Sequence, residues 1–190
     1  MLNVEPFKKD EHYTYADYCT WGDDVRSELI EGVSYMMSPA PTWRHQGILF
    51  DLAGQLRSFL KGKTCKAFTA PFDVRLNADT YDDTVLQPDI VVICDRSKLS
   101  GTGCIGAPDM VIEILSPSTA VNDKVLKFNQ YLQAGVREYW IVDPDTRTVS
   151  VHVLKDGEYM TRAYAGADTV PVYVLEGCTI SLPDVFEVME

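Results

Sequence analysis

The sequence has no hydrophobic run long enough to cross a membrane. A membrane-spanning helix needs about 20 consecutive apolar residues, and the apolar runs in this 190-residue chain are much shorter. Residues 1–6 also lack the basic and then apolar pattern of a secretory signal. We therefore expect a cytoplasmic protein without a membrane partner.

Basic residues are scarce. The chain has 17 Lys and Arg against 28 Asp and Glu, which gives a net charge of −11. Because proteins bind nucleic acid through cations that neutralise the phosphates, this balance argues against general affinity for DNA or RNA. A nucleic-acid role would need a local basic groove or bound metal ions where contact occurs.

Cysteine usage gives no sign of a zinc-binding or cross-linked protein. The five cysteines are odd in number and contain no C-x-x-C pair. We expect reduced thiols that are mostly buried.

Internal repeats, low-complexity tracts and interdomain linkers are also absent from the sequence. The length and the 46% content of hydrophobic residues suffice for a sizeable core. We predict a single domain over residues 1–190 with an α+β fold.

Hydrophobic periodicity predicts helices packed on a sheet of buried strands. Apolar spacing predicts the longest helix over 42–60 and another over 122–134, with Ser118 or Thr119 as a hydroxyl cap. Nearly continuous apolar runs at 88–93 and 109–115 predict strands at the sheet centre. Other predicted elements are a short helix capped by Thr14 and reaching about Trp21, a strand pair over 28–37, a β segment over 66–76 broken at Pro71, strands at 138–142, 148–154 and 159–164, a short strand near Thr179 and a last turn over 183–188.

Two carboxylates stand on the two central strands. Asp89 opens the first run, and Glu113 lies within the second. Taken alone, Asp89 is better explained as a turn cap. Glu113 has apolar neighbours on both sides, however, and an unpaired buried carboxylate is costly, which favours a functional role. One or two carboxylates suffice for Mg²⁺, so Asp89 and Glu113 predict a metal site for phosphodiester hydrolysis, with the Ile114 carbonyl as a third ligand.

A lysine near the attacking water would complete this chemistry, because it can orient that water or help to deprotonate it. Lys124 and Lys127 lie on one flank of the predicted helix, beside an apolar stripe of Val125, Phe128 and Leu132. At about 100° per residue, Lys124 falls closer to the buried side. Spacing alone therefore slightly favours Lys124.

Several motifs in order resemble those of a known family. They are Glu28-Leu29-Ile30-Glu31-Gly32, Met37-Ser38-Pro39-Ala40-Pro41 followed by His45, Asp89, Glu113-x-x-Ser116-Pro117-Ser118-Thr119, a helix with Asp123 and Lys127, and Gly135-Val136-x-Glu138-Tyr139-Trp140-Ile141-Val142-Asp143-Pro144. Over about residues 13–185 they resemble the bacterial Uma-type putative restriction endonucleases, a branch of the PD-(D/E)xK nucleases. The resemblance implies a restriction-endonuclease-like core, with a central mixed β-sheet flanked by helices and with additional C-terminal strands.

The resemblance also implies an activity and its residues. It indicates a Mg²⁺-dependent endonuclease, with Mn²⁺ as a substitute, that acts on nucleic acid, expected to be DNA. Asp89 and Glu113 would bind the metal. In this chain, Leu115 occupies the position where the superfamily usually has its catalytic lysine. The Uma-type branch has the lysine on the following helix, so the resemblance implies that Lys127 is the catalytic lysine. Glu28 resembles an additional acidic residue that holds a metal-bound water, although a salt bridge at the rim explains it equally well.

Two further polar residues lie near this constellation. His45, near the start of the long helix, would suit a phosphate or water contact, although a structural role is favoured. Gln87, two residues before Asp89, is better explained by a turn than by the site.

Two other functions stay open. The acidic charge and the missing strand lysine favour a non-catalytic relative that acts as a dimeric interaction or nucleic-acid-binding module. A hydrolase of smaller phosphodiesters would fit the charge more comfortably. By analogy with dimeric restriction-like nucleases, a homodimer is also predicted, with the strand-rich part from Thr148 to Tyr164 as its edge.

Overall fold

The computed structural model of the protein describes residues 11–22, 26–37, 40–116 and 122–188. Its helical elements are α1 (Tyr15–Tyr18), α2 (Trp43–Leu60), a 3-10 turn (Arg96–Lys98), a π-helical segment (Asn122–Lys127), α3 (Phe128–Ala134) and α4 (Leu182–Glu187). Its strands are β1 (Ser27–Ile30), β2 (Val33–Met36), β3 (Lys66–Thr69), β4 (Asp73–Arg75), β5 (Val85–Leu86), β6 (Ile90–Ile93), β7 (Gly103–Ile105), β8 (Met110–Ile114), β9 (Glu138–Asp143), β10 (Thr148–Lys155), β11 (Glu158–Ala165), β12 (Thr169–Pro171) and β13 (Thr179–Ser181). No helix in these ranges is long and apolar enough to cross a membrane.

A six-stranded mixed sheet forms the centre of the structure, in the order β11-β10-β9-β8-β6-β3. Strands β8 and β9 are parallel, and the other neighbours are antiparallel. Every residue of β6 and β8 is buried, because Val and Ile run almost without interruption through both strands. This confirms their predicted place at the sheet centre.

Helix α2 covers one face of this sheet. Ile48, Leu52, Leu56 and Leu60 recur every four residues and are buried against β6, β8 and α4. Each buried aliphatic side chain contributes about 1.5–3 kcal/mol. The Thr42 side chain accepts the His45 amide at 3.3 Å and fixes the start of the helix.

A second sheet and α3 cover the other face. The five strands lie in the order β2-β1-β5-β4-β7. The shared cluster includes Ile30 from β1, Val111 from β8 and Tyr131 from α3. Leu115 packs in this cluster as well, on the same side as Glu113, as alternation along the strand predicts. This arrangement brings β1, β8 and the segment before α3 together.

The predicted helix over 122–134 differs from the structure in its first half. Residues Asn122–Lys127 are π-helical, and the α-helical part begins only at Phe128. A π-helical turn holds more residues than an α-turn and so rotates the side chains that precede it. Val125 is therefore 53% exposed, whereas Tyr131 is fully buried. The prediction that Val125 belongs to the buried apolar stripe was wrong. Gly135 ends the helix as predicted, with φ 83°.

The short elements were predicted less well than the long ones. Strands β5, β7 and β12 have two or three residues each, too few to display a period. Helix α1 ends at Tyr18, short of Trp21, with Thr14 at its N-cap as predicted. The predicted cap at Ser118 or Thr119 lies outside the described residues.

The expectation of reduced thiols was wrong for two cysteines. Cys65 and Cys94 form a disulfide. Each lies one residue beyond the antiparallel Lys66–Ile93 pair of β3 and β6, so the register places them opposite each other. Their separation of 29 residues hides this proximity in the sequence. Of the other cysteines, Cys104 and Cys178 are buried and Cys19 is exposed.

Removal of this disulfide is expected to lower the free energy of unfolding by about 3 kcal/mol, because the cross-link restricts the unfolded chain. Urea denaturation of Cys94→Ser and of the wild type without reductant measures the difference. Cys19→Ser, which removes an exposed thiol, should change stability by less than about 0.5 kcal/mol. Reaction of all five thiols with Ellman's reagent in the denatured, unreduced wild type would contradict the disulfide.

Candidate active site

Glu28, Glu113 and Lys127 meet in the interior between the two sheets. The Lys127 ammonium lies 2.9 Å from Glu28 Oε1 and 3.0 Å from Glu113 Oε1. The three residues are only 7%, 4% and 5% exposed, respectively. Because an unpaired buried charge costs several kcal/mol, each carboxylate depends on the lysine and the lysine depends on them. We call these three residues the acid–lysine cluster.

Three separate elements deliver the acid–lysine cluster. Glu28 comes from β1, Glu113 from β8, and Lys127 from the last position of the π-helical segment. Lys124, which spacing alone favoured, is exposed, and its ammonium lies 4.0 Å from Asp143. The structure therefore places Lys127, and not Lys124, beside the carboxylates.

Two further donors fix the carboxylates of this cluster. The Tyr131 hydroxyl donates to Glu113 Oε1 at 2.9 Å, and the Gln87 amide donates to Glu28 Oε1 at 2.9 Å. Burial and the Glu113 charge raise the pKa of Tyr131 well above its usual value, so its hydroxyl stays protonated. Sequence reasoning did not assign Tyr131 to the site, although its spacing four residues after Lys127 is a signal that could have found it.

Gln87 itself reaches a different group with its side chain. Its Nε2 donates to the Tyr18 hydroxyl and to Asp73 Oδ1, both at 2.9 Å. The Gln87 backbone N–H contacts the acid–lysine cluster, through its hydrogen bond to Glu28 Oε1. Gln87 lies outside any turn, so the favoured turn role was wrong, and its backbone contacts the predicted site residue Glu28.

Asp89 stands at the end of β6, next to Glu113 on β8. Asp89 directly precedes β6, whose first residue Ile90 pairs with Ile112, the residue before Glu113 on β8. Asp89 Oδ2 accepts the Ile114 amide at 2.7 Å, which ties the carboxylate to β8. The two predicted metal ligands thus belong to one end of the sheet.

His45 contacts Asp89 from the first turn of α2. Its Nε2 lies 3.2 Å from Asp89 Oδ2, and its side chain is mostly buried. His45 thus has a structural role, as the sequence favoured, and this role is at the site, because its partner Asp89 is a predicted metal ligand. This contact could not be predicted from the sequence, because the packing of α2 on the sheet brings residues 45 and 89 together.

The donor set suits Mg²⁺ better than Zn²⁺. Within the described ranges, no three His, Cys, Asp or Glu side chains converge on a metal position. Structural Zn²⁺ needs four protein ligands, whereas Mg²⁺ keeps several waters and takes one or two carboxylates. Asp89 and Glu113 supply two such carboxylates.

Comparison with known proteins agrees with this architecture. The mixed central sheet, with its flanking helices and additional C-terminal strands, has a restriction-endonuclease-like fold. The crystal structure of a putative nuclease belonging to DUF820 from Anabaena variabilis matches with a TM-score of 0.73 and 26% sequence identity, and the match covers 94% of this chain and 99% of that chain. The predicted α+β, restriction-endonuclease-like fold is confirmed.

The family assignment rests on most of the chain. The model of the Uma2 family, described as putative restriction endonuclease, matches residues 13–183, and the chain belongs to this family. The chain is also 26% identical over 156 residues to the uncharacterized protein slr1290 of Synechocystis sp., and the match covers 80% of each chain. The resemblance predicted from the motifs is thus confirmed.

Loss of the cluster's cation should destabilise the fold. Lys127→Met removes the ammonium that pairs with both buried carboxylates, so we expect the free energy of unfolding to fall by about 3 kcal/mol or more. Urea denaturation of the variant and of the wild type at pH 7 measures the difference.

Lys124→Met provides the matched control, because it makes the same substitution at an exposed position of the same segment. Its stability should stay within about 0.5 kcal/mol of the wild type under the same conditions. Equal losses in the two variants would contradict the importance of the buried ion pairs.

Proposed function

We propose that this protein is a Mg²⁺-dependent endonuclease that hydrolyses phosphodiester bonds of nucleic acid, with DNA as the expected substrate. One observation carries the proposal: the acid–lysine cluster is buried at the end of the central strands, beside Asp89. Apolar side chains would stabilise this position at least as well as buried ion pairs do. Ionisable groups held together in such surroundings therefore favour a chemical role.

The metal would be held by Asp89 and Glu113, with the Ile114 carbonyl as the proposed third ligand. When bound, Mg²⁺ neutralises charge on the phosphoryl oxygens and activates a water. Asp89 is the more accessible of the two carboxylates, since it lines an open cleft. Its bonds to Ile114 and His45 hold the carboxylate in one orientation before metal arrives.

Lys127 orients Glu113 and supplies positive charge next to the reacting phosphate. It contacts Glu113 Oε1, the same oxygen that accepts the Tyr131 hydroxyl. Glu28 holds the lysine from the other side. We infer that Glu28 positions Lys127, a role that differs from a salt bridge at the rim because Glu28 is buried.

Individual cations lie near the site. Arg26 lines the same cleft as Asp89. Arg44 and Lys124 line a smaller cavity of about 270 Å³ beside His45, together with Asp143 and Asp145. These cations would contact the phosphates of an approaching strand.

The alternative function is a catalytically inactive nuclease fold that serves as a dimeric interaction module. Strand β11 favours it, because this strand ends the six-stranded sheet and most of its residues are exposed. The homodimer stays a prediction. Metal binding separates the two functions, since an interaction module has no need of it.

Calorimetric titration of Mn²⁺ tests the metal site without a nucleic-acid substrate. The wild type should bind the ion, and Asp89→Ala should abolish binding because a primary ligand is lost. Asp95→Ala, which removes an exposed carboxylate beyond the far end of β6, should bind like the wild type. Absence of binding to the wild type at millimolar Mn²⁺ would favour the interaction module.

Cleavage assays test the chemistry itself. Glu113→Gln retains the shape of the side chain but loses its charge, so we expect at least about a 10²-fold loss of Mg²⁺-dependent cleavage of DNA. Circular dichroism checks that the fold persists. Glu176→Gln removes an exposed carboxylate and should leave cleavage unchanged. Undiminished cutting by Glu113→Gln would refute the assignment.

A further inference from the structure

A cleft of about 750 Å³ opens beside Asp89. One wall comes from α2, with Gln46 and Phe50, and another from the connection between β3 and β4, with Pro71. Arg26, which precedes β1, also lines it. Sites for small molecules have volumes of about 300–1,000 Å³, so the cleft has room for one nucleotide.

Phe50 is the most exposed of the large hydrophobic side chains in the described ranges, at 78%. It lies between Ile48 and Leu52, which are fully buried, and therefore on the outward side of α2. A single exposed apolar side chain is ordinary on a protein surface. This ring, however, lines the same cleft as a predicted metal ligand, which places an open aromatic face close to the proposed chemistry.

Arg26 brings a cation to the same cleft. Its side chain is exposed, and its guanidinium forms no ion pair with any residue of the described ranges. It lies two residues before Glu28 and directly before β1, the strand that carries Glu28. An arginine, an aromatic ring and an amide are the groups that proteins use to hold one nucleotide by its phosphate, base face and base edge.

We propose that this cleft binds one unpaired nucleotide next to the scissile phosphate. Phe50 stacks on the base, Arg26 contacts its phosphate, and Gln46 offers its amide to the base edge. A base inside a duplex has both faces covered by its neighbours, so a side chain stacks on it only after it leaves the helix. The cleft therefore selects single-stranded or unpaired regions over continuous duplex. This inference rests on the proposed nuclease function and specifies its substrate class.

Fluorescence polarisation with a labelled thymidine dodecamer tests the proposal in EDTA, where binding requires no catalysis. The wild type should bind this single strand more tightly than a hairpin duplex of similar length. Phe50→Ala should weaken single-strand binding about tenfold, while Phe50→Trp, which retains a stacking ring, should keep the affinity. Arg26→Gln should weaken binding and reduce its dependence on salt.

Tyr81→Ala is the matched control, because it removes an aromatic ring that is 77% exposed and does not line this cleft. Its affinity for the single strand should equal that of the wild type. Equal affinity of Phe50→Ala and wild type, equal loss in Tyr81→Ala, or no binding by the wild type would each overturn the proposal. A changed mass of Phe50→Ala by light scattering would overturn it too, since α2 would then face a second copy of the chain.

The two proposals fail separately. If Phe50→Ala cleaves normally and binds single strands as the wild type does, the proposed nucleotide subsite is refuted and the proposed nuclease function stands. If Phe50→Ala selectively loses single-strand binding while the wild type binds no Mn²⁺, the subsite is supported and the metal-dependent activity is refuted.

Discussion

The burial of Lys127 between Glu28 and Glu113 is the interaction on which the arrangement of the site depends. Each sheet contributes one carboxylate, and the lysine joins them at 2.9 and 3.0 Å. Since each buried charge is costly without its partner, the two sheets and the segment before α3 must keep their relative positions. The same contacts that fix the packing of the two sheets also orient Glu113 at the end of the central strands.

The lysine beside Glu113 comes from the π-helical segment, because β8 itself has no lysine. Leu115 occupies the usual position and packs in the core. A regular α-helix would turn Lys124 closer to the interior, whereas the wider turn presents Lys127 and leaves Lys124 in solvent. Tyr131, one turn later, reaches the same oxygen of Glu113. The π-helical segment thus places a lysine beside Glu113 although β8 carries none.

Features with strong local patterns could be predicted from the sequence. The apolar runs of β6 and β8 identified the sheet centre, and with it the strands of Asp89 and Glu113. The motif resemblance identified Lys127, but helical spacing pointed to Lys124, because periodicity assumes a regular α-helix. The Cys65–Cys94 bond and the His45–Asp89 contact depend on register and on helix packing across distant parts of the chain. Such long-range geometry leaves no periodic signal in one sequence.

One face of helix α2 packs in the core, and its other residues contact Asp89 and line the cleft. Ile48 and Leu52 anchor it in the core, and core substitutions there act on stability. His45, at the first turn, touches Asp89, while Phe50 faces the cleft. Because α2 carries both His45 and Phe50, its packing in the core fixes Phe50 relative to the His45–Asp89 contact. Under the proposed function, preorganisation of this kind would let an acidic protein with few cations hold a nucleic-acid strand through a small number of contacts, because those contacts are already in place.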